Sequence, residues 1–169
     1  MKIKNNKYIA LIIFVIALIT IGSIIGLTTQ SSVDTWYKTL NRSSLTPPDY
    51  VFGIAWTMLY AIIATSGWLI WQAKSCPQTP LIKKLFIAQL LLNWIWAPIF
   101  FNYHAIDTAL ICLCLMIICV SMIILKTYKT IHIASLLLIP YLLWLLFAGH
   151  LNFYIWKHNK NIRYNSKLV

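Results

Sequence analysis

Five long apolar runs, separated by short polar intervals, make up most of the chain. A membrane-spanning helix needs about 20 mostly apolar residues, because it rises about 1.5 Å per residue through roughly 30 Å of hydrocarbon. Five stretches meet this requirement: 8–28, 50–71, 81–101, 105–125 and 132–156. The interval 30–49 holds Asp34, Lys38, Arg42, Pro47, Pro48 and Asp49, and reads as a loop. A basic tail, 157–169, carries Lys157, Lys160, Arg163 and Lys167. The pattern predicts an all-α integral membrane protein, a single five-helix bundle over residues 1–169. A secretory signal peptide would also place Lys2, Lys4 and Lys7 before an apolar run, but its apolar region is typically about 7–15 residues, shorter than 8–28.

Composition supports the lipid reading. Hydrophobic residues make up 60% of the chain and charged residues 10%, more apolar surface than one soluble core of this length can hide. Lys2, Lys4, Lys7, Lys74, Lys83, Lys84, Lys126 and Lys129 fall on the N-terminal side of the spans. Lys38, Arg42 and the tail fall on the other. The positive-inside rule therefore predicts a cytoplasmic N-terminus for this multi-pass protein, whose expected place is a bacterial cell membrane. The net charge of +11 suits anionic lipid headgroups. It does not point to nucleic acid, because the basic residues sit at membrane borders and not in an arginine stripe interleaved with aromatics.

Candidate chemistry is sparse. Cys76, Cys112, Cys114 and Cys119 have no zinc-ligand spacing, and no metal site is expected. Cys112 and Cys119 lie two helical turns apart and share a face. There is no glutamate, and Asp34, Asp49 and Asp107 all lie near span borders. Neither a proton relay nor an acid–base pair is expected inside the bundle. Asp107 suits the positive end of the fourth span's helix dipole.

The aromatics carry the functional signal. Tryptophans normally gather at the membrane interface, and Trp68, Trp71 and Trp156 fit that role. Trp56, Trp94, Trp96 and Trp144 lie deeper or among polar residues. Three stripes at helical spacing contain most of them: Phe52, Trp56 and Tyr60; Gln89, Asn93, Trp96 and Phe100; and Pro140, Trp144, Ala148 and Asn152. One such stripe alone is ordinary helix packing with amides as interhelical glue. Three converging in a small bundle favour a cavity for a flat apolar ligand, with Gln89 or Asn93 meeting its polar edge. Gly22 and Gly26 form a G-x-x-x-G step that suits either dimerisation or internal packing.

These motifs resemble the TspO/MBR family, the tryptophan-rich sensory proteins related to the translocator protein. The first-loop signature reads Trp36-Tyr37, Leu40, Pro47-Pro48, Phe52, Trp56, Leu59 and Tyr60. The third-helix signature reads Gln89-Leu90, Leu92-Asn93, Trp96 and Phe100-Phe101. The fifth reads Leu137-Leu138, Pro140-Tyr141, Trp144, Phe147-Ala148 and Leu151-Asn152. The resemblance implies a commonly dimeric five-helix bundle whose first loop covers a cavity for porphyrin, haem or, in mitochondrial relatives, cholesterol. No cofactor is obligatory. Carried over by motif, Trp56, Trp144 and Ala148 stand beside the ligand. Trp36, Tyr37, Pro47, Phe52, Asn93 and Phe100 line or cover it, with Tyr60, Gln89 and Trp96 on the same stripes.

Three functions follow from the resemblance. The leading one is a receptor or sensor that modulates tetrapyrrole metabolism or stress responses. The alternatives are a transporter of porphyrin or sterol and a light- and oxygen-dependent porphyrin-degrading activity through Trp56 and Trp144. Leu151, Tyr154 and Lys157 match a weak sterol pattern and read equally as an interfacial anchor. His150 is a candidate axial ligand to haem, against the more ordinary interfacial role. The first loop departs from the family at Asn41-Arg42-Ser43-Ser44-Leu45, where relatives often carry a lysine-proline pair; without that proline, a freer lid is expected.

Overall fold

The computed structural model describes residues 2–74 and 77–160, with side chains from Lys7 onward. Cys76, Arg163 and Lys167 lie outside the described residues. Helix α1 is Lys2–Asp34, the short α2 Trp36–Thr39, α3 Asp49–Gln72, α4 Thr79–Ala97, α5 Ile106–Thr127 and α6 His132–His158. All but α2 are long and apolar enough to cross a bilayer, giving five spans. In hydrocarbon every backbone N–H and C=O must be satisfied within the chain, so apolar runs of this length fold as helices whatever their intrinsic propensity.

Helix ends follow local chemistry. The segment 30–49, expected as a loop, opens with the last turn of α1. No proline or glycine interrupts it, and Gln30 Nε2 donates to Asp34 Oδ2 at 2.9 Å while Lys38 pairs with Asp34 at 3.1 Å. Each partner is four residues away, the spacing that supports a helix face. Pro47-Pro48 hold the chain extended before α3, and Asp49 occupies the first turn of that helix, where the dipole favours a negative charge. Asp107 holds the same position in α5.

Helix α4 stops at Pro98, whose nitrogen has no hydrogen to donate. A wider π-helical turn, Pro98–Asn102, carries the chain on, and the Tyr103 amide bonds back to the Pro98 carbonyl at 3.0 Å. His104 then adopts a φ of 54°, a left-handed conformation uncommon outside glycine, and turns the chain into α5.

The helices form a ring in which α1 packs on α3, α3 on α6, α6 on α5 and α5 on α4. The π-helical turn closes the ring against α1. Ile63, Ile70, Phe86, Leu113, Met116, Leu138, Tyr141 and Leu145 fill the end remote from the first loop. Helix α1 contributes little to this core and exposes Ile9, Ile12, Ile13, Ile16, Ile24 and Leu27 to lipid. At the membrane border the Trp68 indole donates to the Lys7 carbonyl at 3.2 Å, Lys83 lies 5.4 Å over the Trp71 ring, and Trp156 stacks on Phe153.

The first loop carries its own fastening. The Asn41 amide donates to Asn159 Oδ1 at 2.9 Å. Asn159 Nδ2 in turn donates to the Asn41 carbonyl at 3.0 Å and to the Ile155 carbonyl at 2.9 Å. Leu40 is buried, and Arg42 lies 5.0 Å over the Tyr37 ring. This two-way clasp to the end of α6 offsets the freedom expected from the missing loop proline.

Candidate ligand cavity

A cavity of about 620 Å³ lies inside the ring beneath the first loop, within the roughly 300–1,000 Å³ usual for small-molecule sites. Its wall takes Tyr37 from α2, Phe52, Trp56 and Tyr60 from α3, Asn93 and Trp96 from α4, Phe100 from the π-helical turn, and Ala148, Leu151 and Asn152 from α6. The opposite wall is α1, from Ile19 to Val33.

The rings form a continuous surface. Trp96 stacks on Phe100, with centroids 5.6 Å and planes 20° apart, and Trp56 tilts against Trp96 at 6.5 Å and Tyr60 at 5.7 Å. The π-helical turn is what allows this: it swings Phe100 inward next to Trp96, where it is 2% exposed. Ala148, a small residue on α6, leaves the space that a larger side chain would fill.

Several residues expected to meet the ligand stand behind the wall. Trp144 packs edge-on against Trp56 at 6.4 Å and Phe52 at 5.9 Å, supporting the rings from outside. Trp36 packs against Phe100 at 5.6 Å and stacks on His104 at 4.0 Å with planes 16° apart. Pro47 is half-buried in the approach to α3 and is not in the wall. Gln89, fully buried, accepts a hydrogen bond from the Tyr141 hydroxyl at 3.0 Å.

Asn93 does reach the wall, but its amide is engaged within the protein: Oδ1 accepts from Tyr60 at 2.7 Å and Nδ2 donates to Tyr141 at 2.9 Å. Asn152, also at the wall and 2% exposed, is different. Its Nδ2 donates to the Ile106 carbonyl at 3.2 Å, while Oδ1 has no partner in the protein. The signal for Asn152 was its place four residues after Ala148 on one stripe. Nothing in the sequence distinguished its open acceptor from the engaged amide of Asn93.

The sterol pattern does not converge. Leu151 faces the cavity, Tyr154 stacks on His158 with centroids 4.0 Å apart, and Lys157 is exposed. His150 is exposed and not in the wall. Cys112 lies elsewhere, its thiol bonded to the Leu92 carbonyl at 3.3 Å. Among the described residues no three His, Cys, Asp or Glu side chains gather to hold a metal ion.

His104 lies outside the cavity wall, stacked on Trp36. Burial pushes its pKa below the ordinary 6.5, and a hydrogen bond to the Phe101 backbone pulls partly back. The folded protein thus holds the His104 proton less tightly than the unfolded chain, so stability rises with pH between the two pKa values and is lost as pH falls below about 6.5. Acidification from about pH 7.5 to about pH 5.5 is expected to lower the thermal midpoint, and His104→Gln to flatten that response. An unchanged response in the variant would remove His104 from the account.

Five spans closed around an aromatic cavity define a multi-pass membrane protein with an intramembrane pocket of ligand size. The TspO/MBR family profile matches residues 13–157, and the chain belongs to that family. It is 36% identical over 149 residues to the tryptophan-rich protein TspO of Archaeoglobus fulgidus, covering 88% of this chain and 96% of the relative. It is 33% identical over 135 residues to the human translocator protein, covering 79% and 80%. Identity to the tryptophan-rich sensory protein of Cereibacter sphaeroides is 32% over 128 residues, covering 76% and 79%.

Proposed function

We propose that the protein is a membrane receptor that binds a porphyrin or haem within the cavity and through it modulates tetrapyrrole metabolism or a stress response. The observation that carries this reading is the stacked surface of Trp56, Trp96 and Phe100 in a pocket of about 620 Å³. A tetrapyrrole offers a broad conjugated face that stacks on such rings. Its acidic edge belongs at the loop end, where Arg42 stands over Tyr37. Asp49 lines the cavity and Arg42 does not, so the acid groups must keep clear of Asp49.

The test is a titration with protoporphyrin IX in the dark, read by tryptophan quenching. Trp96→Leu is expected to weaken binding about tenfold, the value of one lost ring contact of about 1.4 kcal/mol. Trp144→Phe, behind the wall, is expected to weaken it about twofold or less, since the ring that supports Trp56 is retained. Weak, non-saturating quenching that is identical in all three proteins would end the porphyrin reading.

A second reading, light-driven oxidative breakdown of bound porphyrin, has one observation in its favour. Trp56 lies at the wall with Trp144 edge-on behind it at 6.4 Å, so an indole in van der Waals reach of the ligand has a second indole to share its charge. Loss of porphyrin absorbance under light in the wild type, absent in Trp56→Phe and in the dark, is the expected result. Equal loss in both proteins would dismiss it.

A further inference from the structure

The G-x-x-x-G step of α1 divides into two unlike glycines. A methyl group at Gly22 would run into the Tyr60 ring, so α1 and α3 touch there backbone to ring. At Gly26, one turn nearer the loop, nothing lies within 4 Å of where a side chain would begin, and the same holds for Gly53 on α3. Both are exposed and both belong to the cavity wall. The two helices therefore meet at Gly22 and Tyr60 and part above it, leaving a wedge whose inner end is the cavity and whose outer end faces lipid. Exposed Ser23 and Thr57 complete its sides.

A glycine inside a helix weakens it relative to alanine, and packing does not require these two. The wedge is also apolar beyond its residue names. Thr57 Oγ1 donates back to the Gly53 carbonyl at 2.8 Å, and Thr29 Oγ1 donates to the Ile25 and Gly26 carbonyls at 3.1 and 3.0 Å. These two threonine hydroxyls are thus engaged on their own helices. Gly26 lies eight residues before the end of α1, about 12 Å along the helix, below the loop and its clasp. Asn152 at the cavity wall is 2% exposed and its Oδ1 has no protein partner, but that atom is itself buried and does not open onto the cavity.

We infer that the cavity exchanges its ligand with the bilayer through the wedge between α1 and α3, and that Gly26 and Gly53 keep this side entrance open for a flat, lipid-dissolved molecule. The inference rests on the ligand-binding reading above. It adds the route: the clasped loop stays closed while the ligand passes edge-on between two helices that lack side chains at the gap.

The experiment uses the full chain in phosphatidylcholine vesicles, with protoporphyrin IX added and tryptophan quenching followed by stopped flow. The double variant Gly26→Leu/Gly53→Leu places side chains in empty space and is expected to fold, with a thermal midpoint no lower than wild type. Its association rate is expected to fall by about tenfold and its dissociation rate to fall as well, whereas a lost wall contact alone would raise the dissociation rate. Asn159→Ala, which opens the clasp, is expected to leave both rates unaltered.

Unchanged rates in the double variant, with faster rates in Asn159→Ala, would place entry at the loop and overturn the inference. So would efficient crosslinking of two copies through Gly26→Cys, which would show the wedge closed by a second chain. Non-saturating quenching in the wild type would instead remove the porphyrin reading itself, before any question of route.

Discussion

Replacing Asn93 by leucine is expected to cost about 2–3 kcal/mol of stability and to weaken porphyrin binding about tenfold, the larger effect of the two argued here. Asn93 on α4 accepts from the Tyr60 hydroxyl of α3 and donates to the Tyr141 hydroxyl of α6, which donates onward to Gln89. Tyr60 is 6% and Tyr141 0% exposed. Leucine has nearly the same volume, so packing is kept and only the polar connection is lost. Tyr60 then keeps a hydroxyl with no acceptor in the protein. Interhelical hydrogen bonds in membranes average only about 0.6 kcal/mol each, so most of the loss comes from the Tyr60 hydroxyl left without an acceptor, at about 1–3 kcal/mol.

Binding suffers because the Tyr60 ring is part of the wall and turns to find another partner. Thermal unfolding of the single and double variants checks this. Tyr60→Phe made in the Asn93→Leu background is expected to recover about 1 kcal/mol. A single variant within about 0.5 kcal/mol of wild type, the range of neutral surface changes, would show that the network does not hold the three helices together.

The second prediction separates two glycines that look alike. Gly22→Ala is expected to destabilise by about 1–2 kcal/mol, while Gly26→Ala stabilises by up to about 1 kcal/mol. The methyl at position 22 meets the Tyr60 ring, which cannot swing aside without breaking its bond to Asn93. Overpacking therefore exceeds the helix-propensity gain. At position 26 the methyl enters open space, and only the propensity gain remains. Thermal midpoints in one detergent suffice as the measurement. Two variants that shift in the same direction would mean that α1 and α3 do not part above Gly22.

The fold was legible because lipid simplifies the physics. Where water cannot satisfy a backbone, an apolar run of the required length becomes a helix, and the run from 132 to 156 needed no packing argument even with Pro140 inside it. The end of α1 was harder. The stretch 30–34 is polar enough to leave the hydrocarbon, and its helical state rests on Gln30 and Lys38 bonding to Asp34, contacts whose strength polarity does not reveal.

The site was legible in its ring inventory more than in its geometry. Phe52, Trp56 and Tyr60 do share a face toward the cavity, as four-residue spacing requires. The stripe on α6 is split instead: Ala148 and Asn152 reach the wall, Trp144 supports Trp56 from behind, and Pro140 is exposed. Four residues per step overruns the 3.6-residue turn, so a stripe of that length winds slowly around its helix and leaves the face where it began.

The amino-acid sequence by itself determined the solvent this chain folds in, the five spans, the family and the aromatic character of one interior region, because each depends on residue type and on periods set by helix geometry. Only the tertiary structure decided which amide is engaged and which is open at Asn93 and Asn152, and which glycine is packed and which is bare at Gly22 and Gly26. Those outcomes depend on what a neighbouring helix presents within 3–4 Å, and helical spacing carries no information about the neighbour.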